Sequence, residues 1–106
     1  KPIASDPRFH SDLLIPHVGW QPLSCHNHQY KDQLGNFQSQ DMYFVHSYMV
    51  IDLPPENIIA SVQYGNITIP SIVACDNFLG FQFHPEKSGP RGLDLLRRSI
   101  DFLAKK

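Results

Sequence analysis

The stretch GFQFHPEKSG, Gly80 to Gly89, carries the densest chemistry in the chain: His84, Glu86 and Lys87 follow directly on an apolar run. An imidazole just past a strand end is held by a rigid element while its ring projects into a loop-lined crevice, where open α/β sheets bind their ligands. Pro85 turns the chain between His84 and Glu86, so the carboxylate can return to the ring, fix its tautomer and stabilise the imidazolium during proton transfer. On that reading His84 is a general base and Glu86 its orienter, and the pair needs a Ser or Cys nucleophile within hydrogen-bond reach. On the plainer reading both residues cap a strand end.

Other constellations carry less. CHNH, Cys25 to His28, puts three possible metal ligands close together, but zinc sites need a fourth ligand or a second pair at defined spacing. Only His10 or His17 could fold over to supply one, so no metal or other cofactor is expected. NIT, Asn66 to Thr68, matches a glycosylation pattern, yet a tight turn explains it better. Ser88 and Gly89 could open a helix as an anion site or as a simple cap.

The elements that must position His84 are legible by period. MYFVHSYMVI, Met42 to Ile51, is aromatic and β-branched and runs into Pro54-Pro55, which predicts a buried strand and a stop. IIASVQY and ITIPSIVA flank Gly65-Asn66, whose residues tolerate positive φ, and predict a hairpin. FLGFQFH predicts a strand ended by Pro85, which lacks a backbone donor. In GPRGLDLLRRSIDFLAKK the spacing of Leu93, Leu96, Ile100 and Leu103 predicts a helix with those residues on its buried face. Pro90 suits its first turn, Asp94 its positive end, and Arg97, Arg98, Lys105 and Lys106 its negative end. Residues 1–36, rich in Pro, His, Asn and Gln, read as loop with a short strand at Leu13 to Ile15.

The fold class is therefore α/β, several strands covered by one C-terminal helix. Near-continuous apolar strands normally need helices on both faces, and one helix is too few. The 106 residues are thus expected to be a single partial domain, and a start at lysine fits an excerpt.

Bulk composition narrows the partners. A formal net charge of -1 argues against electrostatic capture of nucleic acid or of an anionic membrane. No apolar run approaches the roughly 20 residues that span a bilayer, and KPIASDPRF lacks the basic and apolar segments of a signal peptide. Two distant cysteines fit a reducing compartment, so the expected localisation is cytoplasmic.

GFQFHPEKSG resembles the C-terminal motif of class I glutamine amidotransferases, the triad-type glutaminases. Taken with PHVGW (Pro16 to Trp20), YFVHSY (Tyr43 to Tyr48), Tyr64-Gly65 and GLDLL in the closing helix, it is similar to the glutaminase branch that serves imidazole glycerol phosphate synthesis, over about residues 14–104. The resemblance implies part of a doubly wound sheet whose N-terminal half is missing. It makes His84 and Glu86 two members of a Cys-His-Glu triad that releases ammonia from glutamine, and it implies a cyclase (β/α)8-barrel partner that uses the ammonia in histidine biosynthesis. Trp20, Tyr43, His46 and Tyr48 fall in segments that face that partner in the family and become interface or gating candidates, and Lys87, beside the catalytic pair, joins them. The departure is the nucleophile: Cys25 in PLSCHNH and Cys75 in IVACDNF lack the flanking glycines of a nucleophile elbow. The chain alone is therefore expected to be inactive, the other half supplying the cysteine. Two alternatives fit the same residues: a paralogue feeding ammonia to another synthase, such as one of surface-sugar biosynthesis, or a non-catalytic partner-binding module.

Overall fold

The computed structural model describes residues 1–9, 13, 15–26, 34–75 and 78–104. Six strands precede one long helix: β1 (His17–Pro22), β2 (Ser24–Cys25), β3 (Asp41–His46), β4 (Ile58–Tyr64), β5 (Ile67–Cys75), β6 (Phe78–Phe81) and α1 (Gly89–Ala104). The expected α/β class, strands with one C-terminal helix, is met. β1 and β3 form an antiparallel pair, and β2-β4-β5-β6 form a second sheet whose neighbours are all antiparallel.

The hairpin forms as its sequence predicts. Tyr64 pairs with Ile67 across the turn, and Gly65 adopts φ +61°, a left-handed conformation that glycine enters without a Cβ penalty. Ile59, Val62, Ile67, Ile69 and Ile72 are buried from these two strands, with Phe44 and Met42 of β3 and Phe83 in the same core. In β4 the run from Ile59 to Val62 is buried without a break, whereas β5 alternates from Ile67 to Ser71.

Four expectations change. The strand expected over Phe78 to His84 ends at Phe81, because the chain bends away from β5 after Gln82 and crosses to β3, where His84 N–H donates to the Tyr43 carbonyl at 3.1 Å. The strand expected over Met42 to Ile51 ends at His46, because the chain's first residues take over as its neighbours: Ile3 N–H donates to the Ser47 carbonyl at 2.8 Å and Met49 N–H to that of Lys1 at 2.8 Å. The short strand in the N-terminal third lies at His17–Pro22 rather than at Leu13 to Ile15, set by pairing His17 with His46 and Trp20 with Tyr43. Leu14 lies outside the described residues.

The fourth correction concerns the helix face. α1 spans the expected residues, yet Leu93 and Ile100 are 53% and 59% exposed, and Gly92, Leu95 and Ser99 are the buried positions. The reason is close approach. Only a position without a side chain lets the first turn of the helix come down on the backbone of residues 85–88, and Gly92 supplies it: a Cβ there would stand 2.2 Å from the Pro85 carbonyl oxygen. Ser99 buries its hydroxyl by donating to the Leu95 carbonyl at 2.7 Å. On the solvent side Asp94 binds Arg97 and Arg98 at 2.8 and 2.9 Å, and these guanidiniums, Arg98 foremost, hold its carboxyl below the usual range. Lys105 and Lys106, expected at the negative end, lie outside the described residues.

Candidate functional site

His84 stands where a strand-directed chain turns into a helix. After β6 the chain bends at Gln82 and Phe83, with Phe83 buried, His84 half-buried and Pro85 buried again. Phe83 anchors the segment against Phe44 and Phe81, with ring centroids at 5.5 and 5.3 Å, so the next side chain must project outward. The chain then makes a 3-10 turn over Pro85–Lys87, with the Lys87 N–H donating to the His84 carbonyl at 3.0 Å.

That turn brings the carboxylate back. His84 Nδ1 lies 2.9 Å from Glu86 Oε1, with the two side chains 42% and 51% exposed. An acceptor-only carboxylate beside Nδ1 selects the tautomer with its proton there, leaving Nε2 as the free basic nitrogen. Glu86's carboxyl is held below its ordinary value, first by its own backbone N–H, then by the His84 hydrogen bond and the charges of His84 and Lys87. It is thus an anion at neutral pH. The arrangement can take a proton at Nε2 and stabilise the resulting imidazolium, which is the chemistry of a base with its orienter.

A second histidine pair lies on the two-stranded sheet. His17 Nδ1 and His46 Nε2 are 2.8 Å apart, and His46 Nδ1 faces the Tyr48 carbonyl at 2.9 Å. A carbonyl only accepts, so His46 carries its proton on Nδ1, accepts at Nε2 from His17 Nδ1–H, and leaves His17 Nε2 a bare lone pair. That nitrogen is buried and has no partner among the described residues. Burial, then the neighbouring His46, push the His17 pKa down to about 4, and burial lowers that of His46 as well. His17 also stacks on Tyr64 with centroids 4.1 Å apart, joining the two sheets.

The candidate residues separate into two groups. His84, Glu86 and Lys87 share one turn, and Tyr43 touches it through its backbone: His84 N–H donates to the Tyr43 carbonyl at 3.1 Å. Trp20 packs on Tyr43 across the β1–β3 pair with centroids 5.6 Å apart, and with Val18 and Val45 these side chains make an outward apolar face; Tyr48, bridged to Pro2 beyond the end of β3, is 65% exposed. His46 instead turns its ring inward to His17.

Neither cysteine occupies a strand-to-helix elbow. Cys25 ends β2 and Cys75 ends β5. In the CHNH cluster, His26 Nε2 is bonded to Ser61 Oγ at 2.5 Å, while Asn27 and His28, like His10, lie outside the described residues; His17 is engaged by His46. Among the described residues no three His, Cys, Asp or Glu side chains group as metal ligands, and no helix is long and apolar enough to cross a membrane.

One residue of the site was not legible as such. Ser88 reads as a cap in the sequence, but its hydroxyl is turned back, accepting from Tyr43 N–H at 2.9 Å and donating to the His84 carbonyl at 2.6 Å. No local pattern announces a partner 45 residues away.

Residues 14–102 match the model of the family described as glutamine amidotransferase class-I. The chain is 45% identical over 93 residues to the protein named imidazole glycerol phosphate synthase subunit HisH of Staphylococcus aureus (strain bovine RF122 / ET3-1), covering 88% of this chain and 43% of that one. It is 42% identical over 90 residues to imidazole glycerol phosphate synthase hisHF of Schizosaccharomyces pombe, covering 81% of this chain and 17% of that one. It thus spans less than half the length of these curated relatives. With the family match extending over most of its residues, the chain belongs to the class-I glutamine amidotransferases.

Proposed function

We propose that this chain supplies the base and orienter, His84 and Glu86, of a glutaminase that releases ammonia from glutamine for imidazole glycerol phosphate synthesis. The observation that carries the reading is the 2.9 Å contact between His84 Nδ1 and Glu86 Oε1 on an exposed turn. The similarity to proteins named as imidazole glycerol phosphate synthase subunits supports the choice of acceptor reaction.

In this mechanism His84 Nε2 takes the proton of a cysteine thiol supplied from outside the chain. The thiolate attacks the glutamine side-chain amide carbon, and the tetrahedral intermediate collapses as the same nitrogen hands its proton to the leaving ammonia. Water, deprotonated by His84, then cleaves the thioester to glutamate. Glu86 stays an anion throughout and holds the ring. The apolar face of Trp20 and Tyr43, together with the exposed Tyr48 and with Lys87 on the turn, is the surface we assign to the cyclase barrel that receives the ammonia; His46, with its ring turned inward to His17, backs this surface from behind.

The test is glutamine hydrolysis by the complete amidotransferase carrying Glu86→Gln. The amide keeps a hydrogen bond to Nδ1 but removes the charge that stabilises the imidazolium. We expect kcat to fall by about 10² to 10⁴ with KM little changed; parent-like kcat would remove Glu86 from the mechanism. The isolated 106-residue chain should hydrolyse no glutamine above background. For the partner, Trp20→Ser should weaken cyclase binding at least about tenfold, as loss of an aromatic anchor does, and unchanged affinity would reassign the face.

A further inference from the structure

The turn that carries His84 is fastened to β3 by hydrogen bonds that meet in one side chain. Tyr43 directs both of its backbone groups at the turn: its carbonyl accepts from His84 N–H at 3.1 Å, and its N–H donates to Ser88 Oγ at 2.9 Å. Ser88 Oγ–H closes the ring by donating to the His84 carbonyl at 2.6 Å. A hydroxyl is one of the few side-chain groups that can accept and donate at once, so it can join an N–H to a C=O through a single atom. Ser88 is only 3% exposed, which leaves no room for solvent to take over either bond. Its Cβ lies beneath Gly92 in the tight contact between the turn and α1, so the hydroxyl is also held from behind.

We infer that Ser88 is a positioning residue for the reaction: its hydroxyl clamps the His84 backbone to Tyr43 and so fixes where the imidazole stands relative to the sheet. The inference rests on the assignment of His84 as base. The dyad itself is local, set by the turn over residues 84–87, and would survive loss of the hydroxyl; its location relative to a nucleophile carried elsewhere would not. Reaction geometry is sensitive at that level, since displacement by about 1 Å can cost about 100-fold in rate. Ser88 touches neither substrate nor the reacting atoms in this scheme, so its removal should act on turnover and leave substrate binding alone.

The experiment compares the complete amidotransferase with its Ser88→Ala and His84→Ala variants in steady-state glutamine hydrolysis, with far-UV circular dichroism as the check on folding. We expect Ser88→Ala to lower kcat about 10- to 100-fold with KM within about twofold. A folded Ser88→Ala variant with parent-like kcat, or one altered only in KM, overturns the clamp. Activity that survives His84→Ala defeats the assignment of the base; loss there beside full activity in Ser88→Ala defeats the clamp alone. If Ser88→Ala does not fold, amide exchange in the parent decides. Tyr43 N–H, whose acceptor is Ser88 Oγ, should be strongly protected, and exchange at the rate of an open amide overturns the inference.

Discussion

Gly92 lies so close to Pro85 that its missing Cβ would stand 2.2 Å from the Pro85 carbonyl oxygen and 2.5 Å from Ser88 Cβ. Backbone oxygen cannot move aside as a flexible side chain can. In an exposed helix interior, Gly→Ala normally stabilises by about 1 kcal/mol; here the sign reverses. Gly92→Ala should destabilise by about 1–3 kcal/mol, as overpacking does, and should lower glutaminase turnover by pushing the turn of His84 outward. Urea unfolding of the variant gives the answer, and a gain in stability would mean that the helix start simply shifts away.

Acid should loosen the fold through His17. Its pKa falls from 6.5 to about 4 on folding, so the native state resists the proton that the unfolded chain accepts. The associated stability is fully present above pH 6.5 and is lost progressively as pH falls toward about 4. By linkage at about 1.4 kcal/mol per pH unit, the loss reaches at most about 3.5 kcal/mol. His17→Phe keeps the ring stacked on Tyr64 and should flatten the pH dependence of the urea midpoint in that window. An unchanged slope would shift the effect to His46, whose pKa burial also lowers.

Gly65→Ala should cost about 1–2 kcal/mol, the penalty of placing a Cβ in the left-handed region, because Gly65 sits at φ +61°. Leu13 adds crowding, with its side chain 2.9 Å from the position a Cβ would take. Gly65→Asn, which tolerates this conformation, should cost less. Equal thermal shifts for the two variants would trace the loss to Leu13 rather than to the backbone.

Phe83→Leu should act on the site from beneath. Phe83 is buried against Phe44 and Phe81, one residue before His84. Trimming a core aromatic to an aliphatic residue should cost about 1–3 kcal/mol and slacken the outward projection of the imidazole. We expect kcat of the complete enzyme to fall more than its KM rises; parent-like kinetics at reduced stability would show that the turn alone holds the ring.

How much of this was legible in the sequence follows from how far apart the interacting residues lie. Hairpin, helix span and dyad depend on neighbours within a few positions, and Gly65-Asn66, the apolar spacing from Leu93 to Leu103, and His84-Pro85-Glu86 announced them. The helix face did not read correctly, because leucine spacing reports amphipathicity, whereas the contact was decided by where Gly92 admits a backbone. The extent of β3 is hidden for a similar reason: Lys1 and Ile3 displace the ladder after His46 from more than forty residues away and carry no strand signal. Ser88 looked like a cap because serine before a helix usually is one.

The clamp at Ser88 also bears on the order in which the protein assembles. Glu86 is two residues from His84, whereas Ser88 is 45 from Tyr43. Closing a long loop costs entropy that a turn does not, and non-local pairings tend to form late. We therefore expect the imidazole and carboxylate to meet while the chain is still largely unfolded, and to be seated on β3 only in a late step. Substitutions at Ser88 should then accelerate unfolding and leave the refolding rate nearly unchanged, which stopped-flow chevrons would read directly. The chemistry would be made early, and its location last.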